Sequence, residues 1–589
     1  MKSMIMCIEW RTLGVVFGLS IGLGFGSTWA QAKKKPTVEA PRRPFTIDQV
    51  VHPVVAALPQ PEFYDPIVSI PMAISSRSPL ASRHVLQGLA YIQAAWDFEA
   101  YRHFCAAVRL DPDCMMAYWG IGLALSAPNN EFAHERMVAV ERMIELMDAT
   151  VQVGGKDVPI ASPMEQKYAL ALATLFALQG GQALEAFKVL SNTFPNNLQA
   201  KCLAIYLQRD GYDEFGSANL GQERAVEEME KVVDDNRENI GVLSFWAMLH
   251  AEAPEAATKL REEILPVVRK IARRAPEFPP YQHLLGHFEW RCGNHHLAEI
   301  ALTRATSLYA AHMKKHKLTF HECDGWIRCQ LFLATAMHSR GKFEEAMKIA
   351  ERLTKLQIEG TRLGSAGANL VVWEVRTLPA RLYLARGWKG DFAKGIASLP
   401  GKNHPQLFKD RTLSIFYLEA LRQYLECRKG LEAGDRDRAH KYRLALSETL
   451  ELMEGLQANA MKSSSISEYV RAVTALQVYV SEARGFVALA GGKIDWAIAR
   501  SWFKSAAEKQ QRPSLLMPPV VVSPMEIRLA QFFVQTGVLA RAVESYQEAL
   551  RRRPNDLVAL QGYQQCLLQL GRQSDAVGIG KLIEDVRKP

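Results

Sequence analysis

Histidine is placed unevenly along this chain. Nine of the 15 histidines lie between His250 and His338, at positions 250, 283, 287, 295, 296, 312, 316, 321 and 338. His283 and His287 stand four apart, so on a helix they share one face, and that spacing can hold a single metal ion. His250, in the stretch FWAMLHAEAPEA, is the third candidate ligand if its helix stacks nearby. One reading is therefore a metal-binding protein or metal-dependent enzyme, with a transition metal or a general base at His250, His283 and His287. Two other readings stand beside it. The imidazoles could hydrogen-bond within packed helices or solvate an outer face, or they could contact a bound peptide.

Other motifs carry less. His312 and His316, in AAHMKKHK, sit where a helix end favours cations. The turn pair His295-His296 predicts nothing alone, and His321-Glu322 lacks the second histidine of an H-E-x-x-H zinc motif. Beyond the apolar Leu13 to Trp29 run, where Gly18 to Gly22 (GLSIG) fits the pattern, no G-x-S-x-G occurs, and the chain has no P-loop or G-x-G-x-x-G sequence. Acidic runs such as Glu227 to Lys231 read as solvated helix faces, so no catalytic carboxylate pair can be picked out. Beyond Cys7, eight cysteines are scattered without C-x-x-C spacing. Cys105/Cys114 and Cys323/Cys329 are near enough to pair in an oxidising compartment, while buried free thiols are the alternative.

The elements that must position these residues are helices. Of 589 residues, 48% are hydrophobic, 23% charged and 9% aromatic, which excludes a disordered, collagen-like or disulfide-dense chain. The net charge of +9, from 71 basic and 62 acidic residues, is a mild and dispersed bias that argues against nucleic-acid binding. Residues 1–32 read as a signal peptide: Lys2 and Arg11, an apolar run from Leu13 to Trp29, then Ala30-Gln31-Ala32. Lys33 to Lys35 follow directly and resist translocation, so an anchor through residues 13–29 is the alternative. An exported protein, periplasmic or secreted, is expected. Residues 33–80 hold nine of the 28 prolines and read as an extended linker or strap on the first repeats. From Ala81 onward the apolar spacing is helical, and Met517 to Pro524 (MPPVVVSP) is an extended connection within it.

The helical part repeats itself. Counting Ala81 as position 1, Gly88, Tyr91, Ala100, Phe104, Ala107 and Pro112 fall at 8, 11, 20, 24, 27 and 32. Counting from Ser523, Ala530, Phe533, Ala542, Tyr546, Ala549 and Pro554 fall at the same offsets. A copy from Met164 matches at Ala171, Ala183, Phe187, Leu190 and Pro195, and partial copies begin near Pro279, Ile327 and Leu557. Small residues at 8 and 20 let the two helices of a unit approach, large ones at 7, 11 and 24 fill the space between units, and proline stops the second helix. The chain divides into repeats at 81–210, His-rich repeats at 211–400, further repeats at 401–522 and a terminal pair at 523–589.

This grammar resembles the tetratricopeptide repeat (TPR), a 34-residue helix–turn–helix unit. The runs FEAYRHFCAAVRLDPDCMMAYWGIGLAL, HLLGHFEWRCG and RLAQFFVQTG…RRRPND are similar to those of a recurrent group of exported bacterial TPR proteins, which also carries a histidine at the place of His250. The resemblance implies an all-α, right-handed TPR-type solenoid, with irregular insertions at 129–163 and 211–221. It also implies one elongated nearest-neighbour stack in place of several domains. In TPR proteins positions 5, 9 and 12 line the concave groove, which would put His283, His287, Trp290 and His338 there, with Arg528 and Gln531 as further contacts. The expected function is a non-enzymatic scaffold for a protein or peptide partner, with Trp290 as the anchor. No resident cofactor and no nucleic acid are expected, and a membrane contact is expected only through an uncleaved N-terminal segment.

Overall fold

The computed structural model describes residues 45–126, 131–177, 180–212, 217–253, 259–388, 390–401, 412–460, 466–490, 495–510, 514 and 517–588. The signal or anchor segment at 1–32 lies outside them. Helix follows helix, paired in succession. The first half comprises Pro79–Gln93 with Asp97–Leu110, Met115–Ala124 with Ala133–Met147, Pro163–Phe176 with Gly180–Thr193, and Leu198–Gln208 with Leu220–Asp235. Next come Ile240–Leu249 with Leu265–Arg274, Pro279–Arg291 with His295–His316, and Asp324–Ser339 with Phe343–Thr354. The second half pairs Arg376–Ala385 with Phe392–Ser398, Thr412–Glu432 with Arg436–Ala460, and Ile466–Ala490 with Trp496–Lys509. Met525–Gln535 with Leu539–Arg552 and Leu557–Gln569 with Gln573–Arg587 close the series. The sheet among the described residues is an exposed hairpin, Thr150–Val153 against Lys156–Pro159, inside the first insertion. No described helix is long and apolar enough to cross a membrane.

The repeat grammar has a visible packing cause. The buried Phe104 ring, at position 24, is wedged between Gly88 of its own unit and Gly120 of the next helix. A Cβ on Gly88 would stand 2.6 Å from that ring. Gly286 meets Leu302 in the same way, at the same two offsets of a later unit. Between the two helices of a unit, Gly293, Gly341, Gly434, Gly537 and Gly571 all turn the chain at φ between 72° and 79°. Ala95 occupies the equivalent turn of the first unit at φ 55°, where its Cβ is strained. Helices start on side-chain caps, among them Ser78, Asn197, Asp495 and Asp556, with a full capping box at Ser162 and Glu165.

One hydrophobic core runs from Val50 to Cys329, a second from Trp290 to Met525, and a smaller one from Phe486 to Ala576. Two segments outside the paired helices are part of these cores, the first of them carrying short helices at Ile47–Gln49, Pro53–Ala56 and Asp65–Ile67. Residues 45–78 lie along the first half with Val50 and Ile67 fully buried, and residues 517–524 run through the second with Val520 fully buried.

The expected nearest-neighbour stack is corrected in one respect, because distant repeats touch. Asn555 Nδ2 donates to the Gly293 carbonyl at 3.1 Å, and Arg340 donates to the carbonyls of Val586 (3.3 Å) and Lys588 (2.5 Å). Lys315 pairs with Glu62 at 2.5 Å, and Arg362 bridges Glu131 and Glu322. The all-α solenoid is closed on itself.

Candidate functional site

Closure decides where the sequence-derived residues end up. His283, His287 and Trp290 lie on Pro279–Arg291, His250 ends Ile240–Leu249, and His338 lies near the end of Asp324–Ser339. They are buried: His283 and His338 are 4% exposed, Trp290 2% and His287 0%. His283 Nδ1 is 2.9 Å from Cys329 Sγ. His287 Nε2 donates to the Ala251 carbonyl at 3.1 Å, and Arg291 binds the carbonyls of Ala251 and Ala253, so the 251–253 turn is strapped over this helix. His250 stands edge-on to Trp246 at 5.3 Å. Trp290 Nε1 donates to Ser339 Oγ at 3.3 Å, and the Arg553 guanidinium lies 5.1 Å above its ring. The anchor expected for a partner is therefore covered by the chain's own C-terminal repeats.

Burial also sets the charge of these imidazoles. It pushes His250 down to about 4, with the Lys259 charge adding to the effect. Burial lowers His287 well below the usual histidine range, helped by the Arg291 and His283 charges. His338 is pushed down to about 4 by burial, with Arg553 and Arg528 nearby. These rings are neutral at pH 7. Neutral imidazoles suit metal ligation, but among the described residues no three His, Cys, Asp or Glu side chains gather closely enough to hold a metal ion. The arrangement thus does not assemble His250, His283 and His287 into a ligand set. The i,i+4 spacing put two of them on one face, and packing made that face part of the core. The eight described cysteines are free and buried, so neither candidate disulfide forms.

Arg528 and Gln531, on Met525–Gln535, also look inward. Arg528 Nε donates to Glu482 Oε1 at 2.8 Å, its Nη2 to the Leu384 carbonyl at 2.6 Å, and its Nη1 to Gln531 Oε1 at 2.9 Å. Glu482 also accepts from the Tyr424 hydroxyl at 2.5 Å and faces Arg428 at 3.6 Å. A charge so fully engaged holds helices together and has little left for a partner. Gln531 is half-buried.

Sequence reasoning missed three arrangements. First, His84 Nδ1 and His103 Nδ1 lie 2.9 Å apart in the core, under the Phe63 ring of the 45–78 strap. Second, a cavity of about 110 Å³ lies between the first repeats and the middle ones, lined by Asp97, Asp324, Arg328, His321, Glu322 and Glu468. Burial and then the Asp324 charge raise Asp97 to about 7, while Asp324 is paired with Arg328 at 2.5 Å. Third, an open cleft of about 460 Å³ separates the 338–343 turn from the last repeat pair. His338, Arg340, Lys342, Phe343 and Arg386 form one wall, and Leu557, Val558, Gln561 and Arg587 the other. Gly341 brings the walls together, since a Cβ there would stand 2.5 Å from Leu557 Cδ2. His338 is the sequence-derived candidate that reaches this cleft. The remaining lining residues carry no local pattern, because the two walls are about 200 residues apart in the chain.

No protein-family model matches the chain, and no curated protein matches it. Among solved structures it is similar to the human IFIT1 dimer with PPP-AAAA, at 11% identity over 84% of this chain and 95% of that one, with a TM-score of 0.32. It is also similar to yeast Tom70, at 14% identity over 86% of this chain and 92% of that one, with a TM-score of 0.25. The TPR domain of P58(IPK) is similar at 12% identity over 84% and 99%, with a TM-score of 0.18. At such scores the likenesses carry no argument about function. The fold assignment rests on the chain's own paired helices: it is an all-α helical-repeat protein, closed on itself.

Proposed function

We propose that this protein is an exported, non-enzymatic scaffold that receives an extended segment of a protein or peptide partner. The observation that supports this reading is how the solenoid handles its own extended segments. Tyr101, Arg102 and Asn239 donate to the backbone carbonyls of Val50, Pro59 and Ser69 in the strap. Arg381, Arg471 and Arg553 do the same for Val520, Pro518 and Val522. Side-chain donors that fix the backbone of a segment lying outside the paired helices can hold a peptide by the same main-chain hydrogen bonds, with pockets supplying specificity. Export rests on Lys2, Arg11, the apolar Leu13 to Trp29 run and Ala30-Gln31-Ala32.

Two measurements test the proposal. N-terminal sequencing of natively expressed, untagged protein should give Lys33 as the first residue; recovery in the cytoplasm with Met1 intact defeats export. Quantitative cross-linking and pull-down from envelope extracts should recover a small set of partners in near-stoichiometric amount. Recovery no better than mock purification defeats the scaffold reading.

A further inference from the structure

The cleft between the 338–343 turn and the last repeat pair is charged on one side of the balance. Arg340, Lys342, Arg386 and Arg587 line it, and no carboxylate does. Two carboxylates lie behind its walls. Glu299 pairs with Arg340 and with Lys342 at 2.8 Å, and Asp391 pairs with Arg386 at 3.2 Å. Four cations are thus set against two anions, and the two anions are already engaged. Arg340 is spent as a cross-link to the chain's end, through its bonds to the Val586 and Lys588 carbonyls. Arg386 and Arg587 are exposed at the mouth. The Arg386 guanidinium lies 4.4 Å above the Phe343 ring and donates through Nη1 to Asp391 at 3.2 Å, which fixes it in place, and its side chain is 44% exposed. Phe343 on one wall and Leu557 and Val558 on the other give the cleft apolar surface. Deeper in, His338 Nδ1 is buried without a hydrogen-bond partner. A volume of about 460 Å³ suits a few residues of peptide.

We infer that this cleft docks an acidic, apolar-anchored segment of a protein partner, its carboxylates meeting Arg386 and Arg587 and its apolar side chains resting on Phe343 and Leu557. The inference rests on the scaffold reading and names the partner's chemistry. Charge complementarity selects the occupant: planar guanidinium groups at the rim favour carboxylates, and the apolar parts of the walls favour peptide over a bare anion.

The test uses the full mature chain and a fluorescein-labelled peptide of alternating glutamate and leucine, followed by anisotropy. An Arg386→Glu/Arg587→Glu double variant should weaken binding by about tenfold or more, and added salt should weaken the wild type. Arg386→Lys should retain part of the affinity, and Lys231→Glu, an exposed cation outside the cleft, should leave it unchanged. Unaltered circular dichroism and melting of each variant certify the fold, which the exposure of both arginines favours. Equal binding of a lysine–leucine peptide, or undiminished binding by the double variant, overturns the inference while leaving the scaffold reading intact. Tighter binding of a single-stranded RNA oligomer at equal salt overturns the peptide class. The scaffold reading itself fails only on the pull-down, so the two failures are distinguishable.

Discussion

The strap at 45–78 lies along the first half of the solenoid with much of its length exposed, the segment at 517–524 is buried throughout, and their backbones are satisfied by different side chains. The strap offers both donors and acceptors. Two of its amides meet carboxylates, Ser75 N–H donating to Glu165 at 2.8 Å and Arg77 N–H to Asp111 at 2.7 Å, and two meet neutral acceptors, His52 N–H the Tyr101 hydroxyl and Tyr64 N–H Gln87 Oε1. Its carbonyls meet mostly neutral donors, Tyr101 and Asn239, and Arg102. The second segment begins Met517-Pro518-Pro519 and ends at Pro524, and prolines have no N–H to give. Carbonyls are therefore in excess, and the surrounding helices supply guanidinium groups, which only donate. Those arginines need buried counter-charge: Glu374 sits 3.2 Å from Arg381 and 2.7 Å from Arg471. The proline content of an internal segment thus dictates the charge of the core around it.

The strongest way to break this contrast is Glu374→Ala. It leaves Arg381 and Arg471 buried without their carboxylate, and stability should fall by about 3–5 kcal/mol in urea unfolding. A loss under about 1 kcal/mol would show that the guanidinium–carbonyl bonds stand alone. Acid should separate the two segments next. Burial, with the Arg83 charge, pushes His84 down to about 4; burial and then the His84 charge push His103 down to about 3, against an upward pull from Glu99 that exceeds the Arg102 push. An unfolded histidine takes up its proton near pH 6.5, so below that pH the unfolded state binds more protons than the folded one. Stability of the strap region should therefore fall as pH drops from about 6.5 towards 4, by up to about 1.4 kcal/mol per unit for each histidine. Hydrogen exchange corrected for intrinsic rate should rise in 45–78 between pH 7 and 5 and stay flat in 517–524. Equal response of both segments contradicts the assignment.

A smaller effect is expected from Tyr101→Phe. It deletes the hydroxyl that donates to the Val50 carbonyl and accepts from the His52 N–H, at a cost of about 1–3 kcal/mol. Proteolysis within 45–78 should accelerate while cleavage near 517–524 does not. The smallest change sharpens the repeat comparison itself. Ala95→Gly supplies the residue type used at five other such turns and should raise stability by about 0.5–1 kcal/mol. A decrease would mean that the Ala95 methyl group is worth more as packing than its φ of 55° costs.

How legible this molecule is in its sequence depends on the range of the interaction. Gly88 and Phe104 lie 16 residues apart and Gly286 and Leu302 likewise, so their contact is written as a repeating offset that one chain reveals. The burial of Trp290 is written nowhere near it: Arg553, which covers its ring, arrives from more than 260 residues away. The same holds for His287 beneath the 251–253 turn and for the cleft that Arg340 and Arg587 share. The TPR numbering correctly marks these helices as paired, but it assumes a groove open to solvent. Here distant segments of the chain cover these helices, and residues numbered as groove positions are buried.

The amino-acid sequence by itself determined the helices, their pairing, the small-to-large packing within units and the extended course forced by proline, because each follows from spacing over a few turns. It also set the charge types available. Only the tertiary structure decided which faces remain open. Closure of the solenoid is a balance of contacts between distant repeats, such as Asn555 with Gly293 and Arg340 with the chain's end, and no local period encodes that balance.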